Sequence, residues 1–427
     1  MKKVGVAILG LGVVGGGTYK ILTEHRKFYN ETHNIDIEVI SVLERNRERA
    51  LKLGLKESQI ANNISEICSN KNVDIVIEVL GGVEPAKTFV LAALNSGKSV
   101  VTSNKELFCK YSYELEEAAK KNGCGLFYEA SCVGGVPIIR TLLDNLQGNV
   151  ITSMMGIING TTNYILTKMS NCGASYNEVL SEAQKLGYAE ADPTADVEGY
   201  DAAYKLSILS SLSFHKKIPY TKIYRQGITD IRVEDIAYGK QLGYVLKLLA
   251  IGKNSEKGIE VRVHPAFINK THPLASVNDS YNAVYISGDS VEDVMLYGRG
   301  AGALPTGSAI VGDVIYCATH DNFNYSTFKN TKDADPETKF ITNFESAYYI
   351  RFIAEDKPGV LSKVSSIFSK YDISLAQVIQ ESDKNNGKVP LIIITHTTHE
   401  SNINKAVEEI NSACGIANVA SVIRVVS

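Results

Sequence analysis

The start of the chain constrains the fold more than any other stretch. Val4 to Leu9 is a short apolar, largely β-branched run. Residues 10–17 then read Gly-Leu-Gly-Val-Val-Gly-Gly-Gly, and a helix-like stretch follows from Thr18 to Lys27. A strand that feeds a glycine-rich turn and then a helix is the opening of a βαβ unit suited to a dinucleotide. Gly10 permits the tight turn, Gly12 lets a pyrophosphate approach the backbone, and Gly15 lets the helix pack on the strand. Val13 and Val14 fall in the helix start, where free N–H groups and the positive dipole end favour phosphate. A glycine-rich turn without a ligand is the plainer alternative, and the position after a first strand argues against it.

The alternation continues. Ile35–Leu43, Val73–Leu80 (ending in Gly81-Gly82), Ser99–Thr102 and Gly125–Glu129 read as strands, while Ala86–Ser96 and Tyr113–Asn122 read as helices. That order predicts right-handed βαβ units and a parallel sheet whose carboxyl ends face a ligand crevice. The middle differs. Ile151–Ile158, Val245–Gly252, Ile259–Pro265 and Ala283–Ser287 suit antiparallel strands. Helices are expected at Thr161–Met169, Tyr176–Leu186 and Gly199–Phe214, and at Thr306–Thr319, where the chain would return to the first domain. Residues 320–345 are polar and read as a linker. The remainder has the order βαββαβ, a ferredoxin-like arrangement. Its elements are strand 347–354, helix 359–371, strands 373–381 and 389–397, helix 403–414 and strand 420–426. The fold class is therefore α/β, with a Rossmann-type domain at 1–137 completed by helix 306–319. An α+β domain at 138–305, the linker and a small C-terminal domain at 346–427 complete it.

Composition removes several function classes. The 427 residues suffice for two to four domains. Lys plus Arg is 44 against 47 for Asp plus Glu, a formal charge of −3, so no nucleic-acid surface or acidic tail is expected. No segment is long and apolar enough to span a bilayer, and Met1-Lys2-Lys3 leads into a strand rather than a signal peptide. Seven Cys without paired spacing suit reduced thiols, so a cytoplasmic location is expected.

Four stretches carry chemistry. The second strand ends Val42-Leu43-Glu44-Arg45-Asn46-Arg47. An acidic residue there suits the ribose hydroxyl of NAD(H), an Arg the 2′-phosphate of NADP(H). Both types are present, with a lean to NADP(H) through Arg45. Ser103-Asn104-Lys105 follows a strand, so Lys105 is a candidate point charge near cofactor or substrate, or else a solvated loop lysine. In Glu129-Ala130-Ser131-Cys132-Val133-Gly134-Gly135-Val136-Pro137, alternating glycines and one carboxylate could cage a hard cation. Spacing alone favours a hinge. Cys132 has no partnering His nearby, so a small buried residue is the better reading than a nucleophile.

The fourth stretch, Gly187 to Lys205, holds Glu190, Asp192, Asp196, Glu198, Asp201 and Lys205. Asp201 and Lys205 are i and i+4 on a helix that is otherwise apolar, so the pair needs a reason to be buried. A surface ion pair is the bland alternative. The carboxylates suit an ammonium-bearing substrate, and Lys205 could give a proton to a nascent alkoxide. A divalent metal site lacks any His in the loop. His264 and His272 read as structural.

Taken together, GLGVVG at 10–15, SNKE at 103–106, EASCVGGVP at 129–137, NGTTNYIL at 159–166, GYAEADPTADVEGYDAAYKL at 187–206 and GRGAGALPTGSAIVGD at 298–313 resemble homoserine dehydrogenase. Residues 346–427 resemble an ACT domain, with Asp356-Lys357-Pro358-Gly359-Val360-Leu361 before its first helix. The resemblance implies reversible reduction of L-aspartate 4-semialdehyde to L-homoserine in threonine and methionine biosynthesis. It makes the middle domain catalytic and dimerising and the ACT domain regulatory. Lys205 would donate the proton, helped by a pKa lowered through burial or by Lys105. Lys105 would contact the nicotinamide end and the reacting oxygen. Glu190 and Asp201 would bind substrate, with Asp196 nearby and Gly187 opening the same element. Glu129 and the carbonyls of Cys132, Gly134 and Val136 would hold a sodium ion. Gly302 would approach the cofactor from the other side. Cys132 departs from the Val usual there. L-threonine is the implied effector, near 356–361, and a homodimer or homotetramer is implied. A catalytically inactive amino-acid sensor and a phosphorylating semialdehyde dehydrogenase are the competing readings.

Overall fold

Five short strands form the first sheet of the computed structural model, which describes residues 1–380, 388–413 and 417–426. They are β1 Lys2–Leu9, β2 Ile35–Leu43, β3 Ile75–Glu78, β4 Ser99–Thr102 and β5 Leu126–Phe127, in the order β2-β1-β3-β4-β5, all parallel. Val6, Ala7, Ile8 and Leu9 are fully buried, as expected for a strand covered on both faces. The strand order reverses beside β1, so the ligand crevice opens at its carboxyl end.

The first helix runs Val13–Glu24 and starts inside the glycine run, five residues before the expected Thr18. Glycine lowers helix propensity, but close packing here requires it. Gly10 has φ +95°, and a Cβ on Gly15 would lie 2.0 Å from Gly10 O. A Cβ on Gly17 would lie 2.2 Å from Ala303 O, at the start of helix Ala303–Thr319. That helix crosses Val13–Glu24 and puts Ile310, Val311 and Val314 into the core under β1 and β2. The helix begins three residues before the expected Thr306.

Among the described residues the second sheet has eleven strands. Its path is β11-β10-β6-β8-β9-β16-β12-β14-β13, with β7 beside β9 and β15 beside β12. The strands are β6 Ile151–Ile157, β7 Tyr224–Arg225, β8 Tyr244–Ser255, β9 Gly258–Asn269, β10 Tyr281–Gly288, β11 Glu292–Arg299, β12 Glu345–Glu355, β13 Leu375–Gln380, β14 Lys388–Thr395, β15 Thr398–His399 and β16 Ala417–Val426. The C-terminal part keeps the ferredoxin-like order β16-β12-β14-β13. It is continuous with the middle domain through parallel pairing of Arg424–Val426 with Ala266–Ile268. Arg351 of β12 also grips Asp235 of helix Val233–Gln241 at 2.6 and 3.1 Å, and Tyr349 Oη donates to the same carboxylate at 2.9 Å.

Sequence periodicity missed β11, helix Val233–Gln241 and the first half of helix Lys105–Asn122, which Asn104 caps by accepting Leu107 N–H at 3.1 Å. The expected ends at Glu381 and Cys414 lie outside the described residues. The polar segment 320–345 lies against the fold as a strap. Tyr325 Oη donates to Cys124 O at 2.7 Å, and Asn330 Nδ2 to Glu116 Oε2 at 2.6 Å. Its polar side chains satisfy a buried carboxylate, which composition alone cannot reveal.

Gly17→Ala should destabilise the protein by about 1–3 kcal/mol through overpacking against Ala303. Gly16→Ala, whose Cβ would have 3.8 Å of room, should be neutral or stabilising by up to about 1 kcal/mol. Urea unfolding of both variants tests the crossing; equal effects would refute it.

Candidate active site

A cleft of about 760 Å³ lies between the two sheets and collects residues from five separate motifs. Ser103 and Lys105 come from the end of β4, Ser131 and Gly134 from the loop after β5, and Asn159 from the end of β6. Gly187, Glu190, Asp196, Asp201 and Lys205 come from the long loop and the helix Tyr200–Phe214, and Gly302 closes the far side.

Asp201 is the centre of the charge arrangement. Its Oδ2 accepts from Lys205 Nζ at 2.7 Å and from Asn159 Nδ2 at 2.9 Å, and its Oδ1 lies 3.1 Å from Lys105 Nζ. Burial alone would raise its pKa. The two ammonium groups and the Asn159 amide outweigh that and hold the carboxyl well below the usual carboxylate range. Lys205 is buried and also donates to Ile158 O at 2.8 Å. Lys105 is pushed up, chiefly by Asp201, against the opposing pull of burial. A carboxylate thus sits between the two cations, so Lys105 has a close anionic partner in the cleft.

Asn159 had no assigned role from sequence. Its Oδ1 accepts Thr162 N–H at 2.8 Å, capping helix Gly160–Cys172, and its Nδ2 bridges Asp201 and, at 2.7 Å, Asp196. The signal was present: Asn before a helix start is a strong N-cap. Asp196 is pushed up by burial and by Asp201. Glu190 is exposed at the rim, and Gly187 with φ +76° turns the chain at the start of the loop. Glu78, also unassigned, is buried at the end of β3. It accepts Thr102 Oγ1–H at 2.6 Å and Leu80 N–H at 2.8 Å, fixing the backbone that presents Ser103 and Lys105.

The glycine turn is held by Glu44 and not by Arg45. Glu44 Oε2 accepts Leu11 N–H at 2.7 Å and its Oε1 accepts Asn46 N–H at 2.8 Å, while Arg45 is exposed. Arg49 lies 3.8 Å from the same carboxylate. Val13 is exposed at the helix start and Val14 lines the cleft.

Glu129 is buried, and its two oxygens accept Ile139 N–H at 2.9 Å and Arg140 N–H at 2.6 Å. Burial and then the neighbouring Asp313 raise its pKa to about 7; burial raises Asp313 to about 6. Val136 O accepts Ile138 N–H at 2.8 Å. Val133 and Gly134 both have positive φ, +48° and +54°, and Val133 is strained there because it is β-branched. Among the described residues no three His, Cys, Asp or Glu side chains gather as a metal site, so a cation here would rest on Glu129 and backbone oxygens. Cys132 is fully buried and burial pushes its thiol up to about 12. His264 is buried too, and its ring is pushed well below its ordinary value by burial and then by Arg424 and Arg262.

Comparison with known proteins decides the lineage. A family model described as "Homoserine dehydrogenase" matches residues 137–315, one described as "Homoserine dehydrogenase, NAD binding domain" matches 10–129, and the ACT domain model matches 348–415. The homoserine dehydrogenase of Bacillus subtilis (strain 168) is 38% identical, over 100% of this chain and 99% of its own. The chain belongs to the homoserine dehydrogenase family. The enzyme of Synechocystis sp. is 39% identical over 99% of both chains. The crystal structure of a homoserine dehydrogenase from Thiobacillus denitrificans superposes with a TM-score of 0.92 at 38% identity, covering 100% of this chain and 99% of that one. A hyperthermophilic archaeal homoserine dehydrogenase in complex with NADPH superposes with a TM-score of 0.64 at 29% identity, over 74% of this chain and 97% of that one. The activity is accordingly homoserine dehydrogenase, an oxidoreductase with an NAD(P)-binding domain and an ACT domain.

A buried thiol with so high a pKa is a poor nucleophile. Iodoacetamide near neutral pH should label the exposed Cys172 and leave Cys132 untouched, with turnover unchanged. Peptide mapping by mass spectrometry reads this; activity lost in step with Cys132 labelling would restore the thiol mechanism.

Proposed function

We propose that this chain reduces L-aspartate 4-semialdehyde reversibly to L-homoserine with Lys205 as the proton donor. The observation that carries the reading is the Lys205–Asp201–Lys105 array in the cleft between the two sheets. A bound nicotinamide supplies or takes up the hydride. The chain supplies charge and position. An ammonium has three N–H bonds; Lys205 spends two on Asp201 and Ile158 O and turns the third to the carbonyl oxygen of the substrate. Lys105 adds its charge at the same oxygen, so developing alkoxide is stabilised in a low-dielectric cleft. Asp201 keeps the two ammoniums from repelling each other apart and fixes the rotamer of Lys205. Asp196 and Glu190, on the loop, take the ammonium of the substrate.

A sodium ion fits the chemistry of the 129–136 loop. The donors are hard oxygens, Glu129 with Cys132, Gly134 and Val136 O. A nearby cation would favour the charged form of a carboxylate otherwise raised to about 7. The ion would act as a structural clamp beside the cleft.

For the cofactor, Glu44 supports NAD(H) more than the sequence lean through Arg45 did. An acceptor at the loop suits a ribose hydroxyl, and the same carboxylate repels a 2′-phosphate that Arg45 and Arg49 would attract. Self-association as a dimer is supported by the exposed apolar side chains Met295 and Tyr297 on β11, 39% and 52% accessible. The ACT domain makes an amino acid the effector, with L-threonine the reading that fits the pathway.

Lys205→Ala should lower kcat by about a hundredfold or more while the Kd for reduced cofactor stays within about twofold. Stopped-flow turnover and cofactor fluorescence titration separate the two, and near-normal kcat would sink the assignment. Glu44→Gln keeps the bond to Leu11 N–H and removes the charge. It should shift the kcat/KM ratio about tenfold toward NADPH over NADH in parallel steady-state assays; an unchanged ratio removes Glu44 as the discriminating residue.

A further inference from the structure

A second cleft, about 1040 Å³, lies on the seam between the middle domain and the ACT domain. Its walls are β8 and β9 on one side and β12 and β16 on the other. At its base lies Arg262 of β9, only 1% exposed. Arg262 Nη1 donates to Ser346 Oγ of β12 at 3.2 Å. Its Nε forms an ion pair with Glu260 Oε1 at 2.9 Å but lies out of line for a hydrogen bond, so neither buried atom has a hydrogen-bond partner. The contrast with the neighbouring Arg424 is sharp. That guanidinium is held by Glu400, by Gln226 Oε1 at 2.8 Å and by Tyr224 Oη at 2.9 Å. A buried ion pair whose hydrogen bonds are unmet is only partly compensated, and a ligand that supplies those bonds to both groups lowers the remaining cost.

The charges around the cleft say what kind of ligand fits. Lys253, Lys257 and Arg262 are matched by Glu256, Glu260 and Glu345. Equal numbers of both signs disfavour a simple anion such as phosphate and favour a small zwitterion. Resting on the reading that the ACT part senses an amino acid, we propose that the seam holds the effector. A free α-amino acid would lay its carboxylate on the Arg262 guanidinium and its ammonium on Glu260. This site is separate from the 356–361 turn implied by the resemblance.

The placement also gives the ligand a short route to the reaction. Successive residues of a strand face opposite sides. Arg262 faces the seam, and Val263 enters the main core, where a Cβ on Gly199 would sit 3.2 Å from Val263 Cγ1. Gly199 is the N-cap of helix Tyr200–Phe214, which carries Asp201 and Lys205. On the adjacent β7, Arg225 stacks 3.4 Å over the Tyr200 ring and donates to Glu198 O. A ligand that re-seats Arg262 against Ser346 therefore acts on β9 directly beneath the catalytic helix.

Calorimetric titration of the full-length protein tests the assignment, with L-threonine first and the other protein amino acids in turn. The best binder is compared with its amide, which lacks the carboxylate, and with its deamino acid, which lacks the ammonium. Both analogues should bind at least about tenfold more weakly. Glu260→Gln and Arg262→Lys should each weaken binding of the amino acid by about tenfold or more and leave kcat without effector unchanged. Should Arg262→Lys fail to fold, the isosteric Glu260→Gln and the milder Ser346→Ala carry the test, each verified by thermal unfolding. Asp356→Asn should bind as the parent does. Loss of binding in Asp356→Asn with parental affinity in Glu260→Gln and Ser346→Ala would overturn the seam site and leave amino-acid sensing intact. No binding of any amino acid to the parent, with no effect on turnover, would overturn both.

Discussion

A buried aspartate held between two lysines is the interaction on which the molecule turns. Asp201 alone would be too costly to ionise inside the protein, and Lys205 alone too costly to leave charged there. Each is tolerated because of the other, and because Asn159 donates to Asp201 and Ile158 O accepts from Lys205. The third partner, Lys105, arrives from the nucleotide-binding sheet. The balance is therefore complete only when both sheets are correctly set against each other, so forming the ion array and forming the cleft are the same event.

That condition explains the wiring of the chain. The helix that returns from the middle domain, Ala303–Thr319, crosses Val13–Glu24 at a glycine where no Cβ fits. The strap after it ties Glu116 and Cys124 of the first domain to the entrance of the ACT part. Glu78, buried beneath the Ser103–Lys105 backbone, holds the strand end that delivers Lys105. These contacts lie outside the Lys205–Asp201–Lys105 array and hold the elements that bring Lys105 Nζ within 3.1 Å of Asp201.

Much of this was legible in the sequence because it is local. The strand–glycine–helix start, the alternation that follows, and the i,i+4 relation of Asp201 and Lys205 all depend on residues near each other in the chain. What escaped was long-range. Whether Glu44 or Arg45 turns toward Leu11 depends on the path of β2 past β1, whose register shifts at Val6/Ala7. The strap read as a linker because its partners lie some 200 residues away. β11, with Glu292-Asp293 at its start, lacks a clean apolar alternation since one of its faces is exposed. Asn159 is the exception, a local N-cap signal whose second role, bridging two carboxylates, needed the fold to become visible.

The same distinction bears on regulation. A separate sensing domain hung on a flexible linker has little leverage on a distant site, because a ligand shifts an equilibrium only through contacts that differ between states. Here the ACT sheet is not hung on the rest; β16 pairs with β9, and Asp235 is locked to Arg351. A displacement in the ACT domain would meet the middle domain through a shared sheet, which is dense and poorly compressible. β9 is the strand where this matters, since its one face meets the seam and its other underlies Gly199. A displacement of β9 would press on the N-terminus of the helix that holds Asp201, through the contact of Val263 with Gly199, and so would bear on the carboxylate that partners Lys205.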